Sequence, residues 1–146
     1  MQRWLPLAFG SLAACGTDGY VVPEADGVAI ARQAFEARGV TVSETRAMGP
    51  LTIDAVGVSF VLDGWNATRG LGFEYVAEAD PDFVEAATDL GDVAESEKLQ
   101  TAVDAALATE PDSHVLVLHT WTHETAELAE DQLRRHVDGW LTEQGL

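Results

Sequence analysis

Apolar and polar positions alternate in two rhythms along this chain. Between Pro23 and Gly39, Val28, Ile30, Ala31, Ala34, Phe35 and Ala37 fall near helical spacing, which predicts an amphipathic helix. Pro23, Glu24 and Asp26 suit its first turn, where a missing N–H is tolerated and acids meet the positive end of the helix dipole. Gly39 is placed to end it. The period then drops to two. Val40–Ser43 reads as a short strand and Met48-Gly49-Pro50 as a turn. Leu51 to Trp65 reads as a longer strand, with Val56, Val58, Phe60 and Leu62 on one face. Gly57 marks a bulge or a close approach within it.

Asp63 to Gly70 is rich in turn residues, and Leu71, Phe73, Tyr75 and Ala77 alternate beyond it with Gly72, Glu74, Val76 and Glu78. This predicts a hairpin with one buried face. Asp80-Pro81-Asp82 is a turn, Phe83 to Ala87 fits one helical turn, and Gly91 interrupts. Helical spacing returns at Glu95–Ala108, with Leu99, Val103, Ala106 and Leu107 facing inward. Pro111 breaks it. His114–His119 is short and apolar without clean alternation, as in a central strand. A last helix, capped by Thr122 or Thr125, runs to about Gln144 on Ala126, Leu128, Ala129, Leu133, Val137, Trp140 and Leu141. The expected fold is a small α+β two-layer sandwich, with a mostly antiparallel sheet and about three helices packed on one face of it.

Before Pro23 the pattern has another character. Arg3 is the only charge ahead of Asp18, and Trp4 to Ala14 are apolar or small. That run has the length of a signal-peptide apolar region and is too short to span a bilayer. It ends in Leu12-Ala13-Ala14-Cys15, and Cys15 is the chain's one cysteine. The segment resembles the lipobox of bacterial lipoproteins, in which a peptidase cuts before the cysteine and lipid is attached to its sulfur. It departs from the class in its single basic residue ahead of the apolar run.

The resemblance implies cleavage between Ala14 and Cys15, lipidation of Cys15 and attachment to the cell envelope membrane. Gly16 stands where an Asp would signal inner-membrane retention in enterobacterial lipoproteins, so the resemblance implies the outer membrane. Two other readings of the same residues are a plain secretory signal and a buried N-terminal element with an inert core cysteine. The expected organisation is a signal peptide at 1–14, a lipidated tether at 15–23 and one domain at 24–146. A lipidated Cys15 leaves no thiol for a disulfide, a metal or a nucleophile, so the domain folds without a covalent staple.

Charge narrows the partners. The chain carries 25 acidic and 8 basic residues, for a net charge of −17; loss of Arg3 with the signal makes it −18. Such a surface repels nucleic acid and anionic headgroups, which excludes nucleic-acid binding. The expected partners are the membrane, through the lipid on Cys15, and another envelope protein.

The remaining candidate chemistry is sparse. His119, His123, Glu124 and Glu127 lie at a strand-to-helix junction, with residue types that suit zinc. The order differs from HExxH, in which both imidazoles share a helix face, so convergence here depends on the loop. An ordinary surface His–Glu pair is the competing reading. Glu78, Asp80, Asp82, Glu85, Asp89 and Asp92 offer oxygen ligands for calcium without EF-hand spacing; a solvated acidic loop explains them equally. Glu74 is an ordinary exposed strand residue if its sheet face is open. If that face is covered, it needs a partner such as Arg69 or Arg46. Trp65, at the hairpin tip, is a candidate ligand or partner contact, unless it folds back onto the core. No nucleophile elbow, phosphate loop or dinucleotide-binding glycine pattern occurs. The pattern names no cofactor beyond these zinc and calcium alternatives. The expectation is a non-enzymatic binding or accessory domain, with a metal-binding protein or metal-dependent hydrolase as the alternative.

Overall fold

A computed structural model describes residues 19–77, 93–120 and 122–146. Its elements in order are β1 (Tyr20–Val21), α1 (Glu24–Ala37), β2 (Ala47–Ile53), β3 (Val56–Val61), β4 (Gly64–Asn66), β5 (Leu71–Tyr75), α2 (Val93–Ala106), β6 (His114–Leu118), β7 (Thr122–His123) and α3 (Ala126–Glu143). The fold is α+β, with three helices and mostly antiparallel strand pairs among the described residues.

β5 is the middle strand of a three-stranded sheet, antiparallel to β4 and parallel to β6. Its side chains alternate between two cores. Leu71, Phe73 and Tyr75 join Leu116 and Leu118 in a cluster with α1 (Ile30, Ala31, Ala34, Phe35) and α3 (Ala129, Leu133, Val137, Leu141). On the opposite face, Val76, Val115 and Val117 join α2 (Leu99, Val103) and the β2–β3 hairpin (Met48, Leu51, Ile53, Val58, Phe60). The helices therefore flank the sheet rather than share one face. That is why all five residues of β5 are buried, where alternation predicted one buried face. Both faces have covers, and Gly72 and Glu74 lie beneath them.

The expected long strand from Leu51 to Trp65 is divided. Asp54 and Ala55, with φ of 49° and 68°, form a two-residue turn between Ile53 and Val56. β2 and β3 pair with each other, and only the last part of the run, β4, pairs with β5. Positive φ at both turn residues matches a hairpin of the primed type, whose twist suits the flanking strands. The register shifts between Met48 and Leu51, where the Gly49–Pro50 bond is cis. The irregularity expected at Gly57 thus sits in the partner strand, at a proline that cannot donate to the ladder. Val40–Ser43 is not a strand, although Val40 and Val42 are buried in the first core.

Among the described residues, β6 lies at the edge of its sheet, not its centre. It is buried from Val115 to Leu118 because a core covers each of its faces. The chain also joins the fold earlier than the expected tether allows. β1 pairs with β7, and Val22 is 1% exposed.

Two contacts fix the first core. Gly27 lets α1 approach the ring of Tyr75, where an added Cβ would lie 2.5 Å from ring carbons. The Tyr75 hydroxyl then donates to Val22 O at 2.9 Å. At the other end of α1, Arg38 donates to Leu146 O at 2.6 Å and Thr142 Oγ1 at 3.3 Å, and pairs with Asp138 at 3.3 Å. It supplies the cation that the last turn of α3 lacks.

Candidate functional site

Among the described residues, polar chemistry gathers at the β6–α3 junction, the Asp63–Glu74 contact, the Arg46–Glu110 pair beside Trp65, and a groove between α2 and α3.

At the junction the structure separates the tasks of the predicted residues. Thr125 caps α3, its hydroxyl accepting from Leu128 N. Glu124 and Glu127 are exposed. His119 is half-buried just beyond β6, with Nδ1 2.8 Å from Thr120 O. A carbonyl only accepts, so Nδ1 carries the proton and a neutral His119 presents its lone pair at Nε2. His123, in β7, is the reverse. Its Nδ1 accepts from Glu124 N at 2.8 Å, so a neutral ring has its proton on Nε2. Metal ligation by His123 through either nitrogen would require that pattern to change. Among the described residues, no three His, Cys, Asp or Glu side chains are placed to hold a metal ion.

His119 instead acts electrostatically on His136, in the middle of α3. Desolvation is the larger cause that holds the His136 pKa below the ordinary histidine value. The neighbouring His119 charge lowers it further, while Glu143 opposes both. Sequence reading missed this pair because its members lie seventeen positions apart, on elements joined only by packing.

Glu74 is 1% exposed, since α2 and the β2–β3 hairpin cover its face of the sheet. Neither Arg46 nor Arg69 supplies its hydrogen bond. Glu74 Oε2 accepts from Asp63 N at 3.0 Å, and Asp63 Oδ2 accepts from Tyr75 N at 2.8 Å. Two neighbouring carboxyl groups thus bind each other's strand just before β4 begins. Arg32 approaches the same segment, donating to Asp63 O at 3.0 Å.

Trp65 is 6% exposed and belongs to the second core, so it is not an exposed contact. It sits opposite Gly72, where a Cβ would meet its ring at 2.7 Å. The indole fills the space the glycine leaves. Arg46 also packs over the ring, with the guanidinium 4.5 Å from the ring centroid and 2.8 Å from Glu110 Oε1. That contact with Arg46, aided by Ser113, holds the Glu110 pKa below the usual carboxylate value.

The groove has a volume of about 550 Å³. Its walls are the end of α2, the loop that follows, the start of β6 and the last turns of α3. Asp104, Glu110, His114, Trp140 and Gln144 bring carboxylates, an imidazole, an indole and an amide to it. Gln100 forms part of the wall, and its Nε2 donates to Asp104 Oδ1 at 2.9 Å. Sequence reading did not assemble this set because its members come from four separate segments.

Cys15, Ala14 and the acids proposed for calcium between Glu78 and Asp92 lie outside the described residues. No described helix is long and apolar enough to cross a membrane. The chain matches no family model, no curated protein and no solved structure.

Proposed function

We propose that the chain is a bacterial envelope lipoprotein, held by lipid on Cys15, whose domain serves as a non-enzymatic binding or accessory module. The outer membrane is its favoured location, and another envelope protein is its favoured partner. The observation that carries this reading is the order of one charge, an apolar run and Leu12-Ala13-Ala14-Cys15. Two or three acyl chains, at about 0.8 kcal/mol per buried CH₂, make such an anchor effectively permanent.

On this reading the anchor is short. Tyr20 already pairs with His123. Five residues at about 3.5 Å each allow at most about 18 Å between Cys15 and that strand. A domain so tethered works at the membrane surface, and its net negative charge keeps it from lying flat on anionic lipid.

Mass spectrometry of the mature N-terminus, together with fractionation of cells producing Cys15→Ser, tests the reading. The expected results are an acylated Cys15 as first residue and release of the variant from the membrane fraction. An intact Met1, or a Cys15→Ser chain that stays in the membranes, would overturn it.

A further inference from the structure

We infer that the groove between α2 and α3 binds a cationic side chain, a guanidinium or ammonium group presented by a basic segment of a partner protein. The assignment deepens the binding reading above by naming the chemistry of the partner, and it does not depend on the lipid.

Its charge argument starts at Asp104. Gln100 holds one oxygen of this carboxylate, and Gln100 is itself fixed, because its amide also bonds Val115 O and Val117 N on β6. The second oxygen remains available, and among the described residues no ion pair engages Asp104. The carboxylate is therefore preorganised for a donor it does not have.

The surrounding groups favour the same sign. α2 ends at the groove with no basic residue in its last turn, so the negative end of its dipole is unopposed there by its own sequence. Among the described residues, no Lys or Arg lines the groove. Two cations are already engaged: Arg46 with Glu110, on the groove's wall, and the Trp65 ring, and Arg38 with Asp138 and the end of α3. Trp140, half-buried against Phe35 at 6.0 Å between ring centroids, offers an aromatic surface, and Leu107 and Pro111 offer apolar walls for a methylene stem. Carboxylate, aromatic ring and apolar wall together suit a long basic side chain. The fold uses the same combination internally, where Arg46 lies between Trp65 and Glu110. An anionic ligand would meet the Asp104 carboxylate and the negative end of α2 here.

The test uses the full-length chain at about 0.15 M salt, where unspecific attraction is screened within about 8 Å. An acetylated, amidated Gly-Arg-Gly peptide is titrated while NMR follows the Trp140 indole N–H and the His114 ring. The citrulline peptide, which lacks the charge, and N-acetylglucosamine, a neutral polyol, are titrated in parallel. The expected result is a saturable shift of both signals by the arginine peptide alone. Asp104→Asn, whose side-chain oxygen still accepts from Gln100, is expected to weaken binding about five- to tenfold. Asp26→Asn, an exposed acid at the far end of α1, should leave it unchanged.

Equal weakening by both variants would reduce the binding to diffuse attraction and overturn the assignment. Equal binding of the citrulline peptide would do so too. Binding of the sugar alone would keep a binding domain and discard the cationic ligand. Failure of every ligand to shift either signal would discard the site.

Discussion

The side-chain amide of Gln100 stands in for a neighbouring strand along β6. Its Oε1 accepts from Val117 N at 2.8 Å and its Nε2 donates to Val115 O at 2.9 Å, the two bonds that the N–H and C=O of one residue in a parallel strand would make. β6 is an edge strand whose side chains are buried on both faces. Its outward backbone groups are the weak point of the sheet, both for burial and for unwanted pairing. One residue of α2 answers both problems and ties the helix to the sheet edge.

Gln100→Ala is therefore expected to cost more than an exposed helical substitution. It leaves a donor and an acceptor at the edge without their partner, at about 1–3 kcal/mol for each group that water cannot reach. Urea unfolding of the full-length chain measures the loss. Hydrogen exchange assigns it, because the Val117 amide should lose protection more than Leu116, whose bonds face β5. Unchanged Val117 protection would show that the amide is dispensable.

A substitution that looks favourable to the helix should harm the protein. Gly27→Ala improves α1 by about 1 kcal/mol on propensity alone. It also places a methyl group 2.5 Å from the Tyr75 ring, in a core where Tyr75 and Phe35 are fully buried. Overpacking of this kind costs about 1–3 kcal/mol. A net loss of stability is expected, visible as a lower melting temperature by circular dichroism. A melting temperature at or above that of the parent would mean that Tyr75 moves aside freely.

The described helices were legible because each apolar stripe is local. The expected opening Pro23-Glu24-Ala25-Asp26 is the start of α1, with Pro23 as its N-cap, and Thr125, one of the two threonines expected to cap α3, does so. The β2–β3 turn was not legible because Asp54-Ala55 lacks the glycine or asparagine that such turns favour. With no turn marker, apolar alternation reads through the corner as one strand. The burial of Glu74 was hidden for a different reason. Whether a sheet face is open depends on where α2 and the hairpin pack, and period-two alternation carries no information about that. The same limit hid the groove and the His119–His136 neighbourhood, both assembled from residues far apart in sequence.

The unmarked turn makes its own prediction. Ala55 holds φ of 68°, a left-handed conformation that costs an alanine about 1–2 kcal/mol. Ala55→Gly removes that strain and adds unfolded-state freedom worth about 0.4–1 kcal/mol against folding. The expected net effect is a gain of up to about 1 kcal/mol by urea denaturation. A variant less stable than the parent would show that Ala55 contributes contacts that outweigh its backbone strain.

Stability should also fall as the solution turns mildly acidic, through His136. Its folded pKa lies below the ordinary value because its ring is partly desolvated, although the residue is exposed, and because of the His119 charge; Glu143 opposes both. Above the ordinary histidine pKa, near 6.5, the ring is neutral in both states and contributes no pH dependence. As pH falls through that value the unfolded chain takes up the proton first, so the unfolded state is favoured. The loss grows until the depressed folded pKa is reached and stays constant below it. Unfolding free energy measured between pH 7.5 and 5 should therefore drop less in His136→Gln than in the parent. His119→Gln should raise the His136 pKa, read from its ring protons by NMR, by only part of the difference, because desolvation is the larger cause. A His136 pKa that is unmoved in His119→Gln would show that the two rings do not sense each other's charge.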